Sequence, residues 1–83
     1  MTLADVGVDE SAVVVGIASV CQGPQRRRLL DLGVVPGTLV RGVMASAAGD
    51  PIAYDIRGAL IGLRRQQAAW IRVRRPAADE AAA

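Results

Sequence analysis

Histidine is absent from this chain of 83 residues, and cysteine occurs once, as Cys21. Without imidazole there is no histidine-based acid/base chemistry and no histidine metal ligand. A single cysteine excludes an intramolecular disulfide framework and any zinc site built from several thiolates. Aromatic residues make up 2% of the chain, Tyr54 and Trp70. That is fewer than a surface stacking on RNA bases usually carries. Long apolar runs are also missing. The longest, residues 12–21, is about half of the roughly 20 residues a transmembrane helix needs. Asp5, Asp9 and Glu10 precede it, where a secretory signal would carry positive charge. The run Ala18-Ser19-Val20-Cys21 has the outline of a lipoprotein cleavage box, but Val20 is too bulky for its position. The expectation is a soluble cytoplasmic protein.

Catalytic patterns are missing too. There is no Gly-x-Ser-x-Gly, no phosphate-cradling glycine loop ending in lysine, and no carboxylate pair at useful spacing. Asp50 and Asp55 straddle a turn, and solvation accounts for them. Cys21 precedes a helix N-terminus that would favour its thiolate. It also reads as a small buried hydrophobe, the usual state of a free cysteine and the reading taken here. The chain is expected not to be an enzyme and to carry no cofactor and no metal site.

What is present is enough apolar material for one small domain. Hydrophobic residues make up 52% and charged residues 22%, with a mean hydropathy of +0.31, which excludes a wholly disordered chain. At this length the stability should be a few to about a dozen kcal/mol. The net charge of +2 hides a partition. Residues 1–10 carry −3 and residues 76–83 carry −2. Between them, all ten arginines against Asp31, Asp50 and Asp55 give +7. Such a body could concentrate an anionic partner; arginine and alanine from GC-rich codons, merely solvating a surface, would look the same.

The valines at 13–15 predict a buried strand over residues 12–17. Pro24 suits a first helical position and Gly23 a cap, so a helix is expected through Leu32. Gly33 should stop it in the left-handed conformation, with Val34 folding back on Leu29. Val35-Pro36-Gly37-Thr38 has the chemistry of a type II turn. A strand over 39–44 follows, with Gly42 a bulge or close-packing point. After a small-residue loop, Ile52, Tyr54 and Ile56 alternate with Ala53, Asp55 and Arg57. Gly58 then makes a tight connection to 60–63, so 52–57 and 60–63 form a hairpin. One helical turn over 65–69 and a closing strand over 70–73 complete the domain at about residue 75. Residues 76–83 are expected as a flexible acidic, alanine-rich tail. The fold class is mostly β: a small antiparallel barrel of about five strands with one short helix after the first. Closure would also remove exposed strand edges. Tyr54 is expected in the core with its hydroxyl at the rim, and Trp70 partly exposed at the seam.

The helix is electrostatically backwards. Arg26, Arg27 and Arg28 occupy its first half, where the macrodipole favours acids, and Asp31 lies near its end. Arg27 and Asp31 are an i,i+4 pair in the weaker orientation. Each exposed misplaced charge costs about 0.3–1 kcal/mol. A binding surface often breaks a local rule in this way; arginine stems that cover barrel edges would break it equally.

The segment Arg27-Arg28-Leu29-Leu30-Asp31-Leu32-Gly33-Val34-Val35-Pro36-Gly37-Thr38 closely resembles the signature of the FeoA family. These are small proteins of bacterial ferrous iron uptake, and the domain also ends iron- and manganese-dependent repressors. Agreement continues at Gly49-Asp50-Pro51-Ile52, Arg57-Gly58 and Leu63-Arg64-Arg65, with Ala68 and Ala69 beyond, and spans about residues 2–73. Gly42, Ala47 and Ala48 depart from it, being smaller than the family often has, as does the stretch Ile61-Gly62-Leu63. The resemblance implies an SH3-like barrel with a helical insertion. It implies a non-enzymatic cytosolic accessory to FeoB, the membrane GTP-binding ferrous iron transporter, and no defined metal site. On that basis Arg26, Arg27, Arg28, Asp31, Leu32, Val35 and Pro36 are the expected partner-binding residues, with Gly33, Gly37 and Gly58 as structural turns. A nucleic-acid-binding barrel, motivated by the +7 body, and a piece of a metal-dependent repressor are the alternative readings. No stable nucleic-acid binding is expected on the leading reading, while self-association stays open.

Overall fold

A computed structural model describes residues 1–81. Five strands form one antiparallel sheet: β1 (Ser11–Ile17), β2 (Leu39–Ala45), β3 (Ile52–Ile56), β4 (Ala59–Leu63) and β5 (Ile71–Arg74). Their spatial order is β4-β3-β2-β1-β5. Helix α1 (Gly23–Asp31) joins β1 to β2, and the one-turn helix α2 (Arg65–Ala68) joins β4 to β5. The expected mostly-β architecture is therefore found, with strand bounds differing from the sequence expectation by a residue or two.

The strands are where the sequence chemistry puts them. Val13 and Val14 are almost fully buried, as a β-branched run in a central strand should be. Tyr54 and Ile56 point into the core while Asp55 between them is exposed, which is the period-2 alternation. Two register shifts, in β1 between Val14 and Gly16 and in β2 between Gly42 and Met44, add twist and help the sheet curl. Curling is evident from the core itself. Leu63 on one edge strand and Ile71 and Val73 on the other share one cluster with Ala12, Val40 and Ile56. The two edge strands do not pair, however. The edges that closure would have removed remain.

Residues 1–10 do more than carry acidic charge. Leu3 sits in a short 3-10 turn, Leu3–Asp5, and is fully buried, and Val6 is nearly so. Thr2 and Asp5 close that turn, the Thr2 amide donating to the Asp5 carboxylate at 2.9 Å. This strap crosses the open end of the core and lies along β5, where Thr2 bridges Arg72 and the Val73 amide donates to the Met1 carbonyl at 3.0 Å. It then runs beside β2. The Asp9 amide donates to the Gly42 carbonyl at 2.8 Å and the Gly42 amide to the Glu10 carbonyl at 2.9 Å. A Cβ on Gly42 would collide with the Gly7 carbonyl, so glycine there is required by close backbone approach.

Tyr54 corrects one expectation. Its hydroxyl is not at the rim: the side chain is 1% exposed, and the hydroxyl donates towards the Leu3 and Val6 carbonyls at 3.1 and 3.3 Å. Trp70 is half-buried against the core. In the segment expected as a tail, Ala78–Ala81 form a one-turn helix, α3. Glu80 there makes a two-pronged pair with Arg74, both contacts at 2.8 Å. Residues 82 and 83 of that segment lie outside the described residues.

Candidate docking face on the first helix

Helix α1 is set by its ends. Gly23 takes φ +66° and Pro24 follows within the first turn. The cap is Gln22, with Gly23 as the first helical residue, one position earlier than the sequence suggested. At the other end the Gly33 amide donates to Leu30 and the Val34 amide to Leu29, both at 3.0 Å, with Gly33 at φ +101°. This is the Schellman stop, and its hydrophobic contact is buried: Leu29 and Val34 are 4% and 1% exposed.

The three arginines of the helix part company. Arg26 lies on the inner side with Leu29, half-buried. Its Nη1 donates to the carbonyls of Ile17, Ala18 and Cys21 at 3.4, 3.3 and 3.2 Å. Those carbonyls supply the negative partial charge that the helix N-terminus lacks, so Arg26 has a local stabilising role after all. Sequence reasoning grouped Arg26 with its neighbours because backbone acceptors leave no mark in the sequence. Cys21, whose carbonyl Arg26 holds, is a free thiol, 1% exposed and part of the core.

Arg27 and Arg28 are exposed. With Gly23, Pro24, Asp31 and Leu32 they line an open depression of about 440 Å³. Positions 24, 27, 28 and 31 follow the i, i+3, i+4, i+7 spacing of a single helix face. The ion pairs among the described residues are Arg41–Asp9 and Arg74–Glu80. Arg27 and Asp31, despite their spacing, do not form one. Leu30, 41% exposed, adds an apolar side chain beyond the depression. The face therefore offers two unpaired guanidinium groups, one carboxylate and a half-buried leucine.

Val35 and Pro36 belong to a different place. The Val35–Thr38 turn closes with the Thr38 amide on the Val35 carbonyl at 3.1 Å and Gly37 at φ +93°, as a type II turn demands. It is tied to β1, the Gly37 amide donating to Val14 at 2.8 Å and the Val14 amide to Thr38 at 2.9 Å. Neither Val35 nor Pro36 lines the depression. Of the seven residues expected to bind a partner, the structure brings together Arg27, Arg28, Asp31 and Leu32.

Sequence reasoning missed Arg57. It sits with Gly58 in the two-residue β3–β4 turn, both at positive φ, 54° and 84°, the type I′ geometry. The Gly58 amide is held by the Asp55 carboxylate at 2.9 Å. From there the Arg57 stem covers Gly33, where a Cβ would come within 2.6 Å of its Cδ. A cation beside a helix C-terminus is favourable, so Arg57 partly answers the reversed charge of α1. The Arg57-Gly58 pair marked the turn in the sequence, but not the contact across the fold.

Among the described residues no three of His, Cys, Asp and Glu come together to hold a metal ion. No helix among them is long and apolar enough to cross a membrane.

Comparison with known proteins bears on this geometry. The FeoA domain family matches residues 1–75. An Fe(2+) transport protein A/Fe(2+) transporter FeoB fusion protein from Porphyromonas gingivalis is 33% identical over 73 residues, 88% of this chain. The chain spans only 8% of that relative's length. The solution structure of the FeoA protein from Chlorobium tepidum is 35% identical, with a TM-score of 0.83 over 96% of this chain and 74% of that one. The zinc-complexed crystal structure of Stenotrophomonas maltophilia FeoA, a procaryotic SH3 domain protein, is 30% identical. Its TM-score is 0.80, over 89% of each chain. An SH3-like sheet with a helix after its first strand, and a domain match from the strap through β5, lead to one conclusion: this chain belongs to the FeoA family.

Proposed function

We propose that this chain is a non-enzymatic, cytoplasmic accessory module of ferrous iron uptake. On this reading it docks through the outer face of α1 onto the cytosolic, GTP-binding part of a FeoB-type transporter. The observation that carries the reading is the fusion relative, in which a protein of this kind and the transporter share one polypeptide. Physical linkage in one chain keeps two modules at high effective concentration, which is useful where the two must meet. Arg27 and Arg28 support the choice of surface. They are exposed and outside the ion pairs of the described residues. Arg27 stands at the middle of α1 and Arg28 in its last turn, so the dipole does not disfavour Arg28 as the sequence alone suggested. A complementary acidic surface would pair with them and steer the encounter. The folding unit would be residues 1–75, with residues 76–83 as an appendage.

The test spares Arg26, which the fold needs. In the double variant Arg27→Glu/Arg28→Glu, calorimetric affinity for the transporter's cytosolic region at low salt should fall at least about tenfold, about 1.4 kcal/mol. The melting temperature should stay within a few degrees of wild type. Unchanged affinity would remove α1 from the interface.

A further inference from the structure

We infer that the free edge of β4 is a second docking site, one that takes an extended segment of a partner protein whose ends are acidic. It does not rest on the reading of α1. Strand β4 lies at one end of the sheet and pairs with β3 alone. The two-residue Arg57-Gly58 turn fixes the register: Ile56 faces Ala59, Tyr54 faces Ile61 and Ile52 faces Leu63. In such a hairpin the pair flanking the turn exchanges both hydrogen bonds, and bonded pairs then alternate. Ala59, Ile61 and Leu63 therefore spend their backbone groups on β3. Leu60 and Gly62 turn an N–H and a C=O each away from the sheet. Among the described residues, no turn, loop or side chain meets those groups.

Sheet edges in natural proteins are normally blunted by charge, proline, a bulge or a covering segment. Strand β4 has none of these. It reads Ala-Leu-Ile-Gly-Leu, its register is unbroken, and Leu60 is 56% exposed. Gly62 is the second observation. Its φ is not in the left-handed region, and a Cβ there would meet nothing within 4 Å. Nothing inside the molecule requires glycine at this point. Glycine in a strand marks a place where another backbone comes close, and here the space is outside the fold.

The charges at the ends of β4 select the occupant. Arg57 precedes the strand and Arg64 and Arg65 follow it, all exposed and outside the ion pairs of the described residues. Two copies pairing antiparallel about Ile61 would set Arg57 of each against Arg65 of the other. Like charges placed opposite one another destabilise a ladder. An incoming strand with small apolar residues in its middle and a carboxylate at each end satisfies both the backbone and the arginines. This is strand addition, with main-chain bonds giving affinity and the ends giving specificity.

The experiment is an NMR titration of the isotope-labelled full chain with two acetylated, amidated peptides, Glu-Val-Thr-Val-Glu and Lys-Val-Thr-Val-Lys. The Glu-ended peptide should shift the Leu60 and Gly62 amide resonances and slow their hydrogen exchange at least about tenfold; the Lys-ended peptide should do neither. Gly62→Pro removes an outward donor without touching the β3 ladder and should abolish binding. Leu60→Glu, which leaves the backbone unchanged, should weaken it at least tenfold if the proline variant fails to fold. Equal binding of both peptides, or shifts confined to α1, would overturn the inference. Concentration-dependent broadening of Leu60 and Gly62 without peptide would overturn it in favour of a second copy of this chain.

Discussion

The two edges of the sheet are treated in opposite ways. At β5 the strap of residues 1–10 supplies a bridge from Thr2 to Arg72 and a carbonyl acceptor for the Val73 amide, and Arg72 and Arg74 place charge along the strand. At β4 no described residue meets the outward backbone groups, the side chains are small or apolar, and arginines stand at the two ends. One edge is finished within the molecule, and the other is left for something outside it. An SH3-like sheet that closed fully would show neither condition. The difference is therefore informative about where a small module of this kind keeps its stability and where it keeps its contacts.

Breaking the finished edge should have the largest effect. Leu3→Ala empties a fully buried position in the strap and should cost about 2–5 kcal/mol, read by urea unfolding. Exchange of the Val73 amide should accelerate well before that of the central Val40, because the strap covering β5 loosens first. Gly42→Ala drives a methyl into the Gly7 carbonyl and should cost about 1–3 kcal/mol, with the same bias towards the β5 edge.

Tyr54→Phe leaves the packing and removes the hydroxyl that ties the sheet to the strap, taking the donor from the Val6 carbonyl while the Leu3 carbonyl keeps the Val6 amide. The cost should be about 1–2 kcal/mol. Tyr54 also sets an alkaline limit. Burial pushes its phenol above the ordinary value of 10.0; Arg65 works against that shift, and Asp50 adds to it. A raised folded-state value means stability that is complete below the unfolded value and is lost as pH rises from there through the folded one. Wild type should therefore weaken above about pH 10 more steeply than Tyr54→Phe.

The smallest effect concerns Glu80. Hydrogen bonds from the Arg74 guanidinium and the Ala77 amide hold its carboxyl down to about 2. The stability it adds is present above the usual carboxylate value and fades as pH falls through about 2. Exposure keeps the effect slight. Glu80→Gln should flatten that acid limb and leave the β4 edge untouched.

Much of the frame was legible because its signals are local. The Gly33 stop, the Pro36-Gly37 turn, the Arg57-Gly58 hairpin and the 52–56 alternation each rest on backbone rules acting within a few residues. The candidate site was legible only in part. Arg27, Arg28, Asp31 and Leu32 share a face because helix periodicity puts them there. Arg26 was misplaced with them because the three carbonyls that hold it belong to the end of β1 and the loop behind it. The core role of Leu3 and Val6 was hidden by their acidic neighbours, since two apolar residues in a short irregular segment show no period.

By itself the sequence determined the five strands and the two helices between them, the family and the basic body between acidic ends, all of which follow from short-range geometry and composition. Only the tertiary structure decided which edge is covered, which arginine is structural, and where the Tyr54 hydroxyl goes. Those outcomes depend on backbone groups meeting partners outside their own strand or helix. Every residue carries the same backbone groups, so the sequence alone cannot distinguish which of them will find a partner.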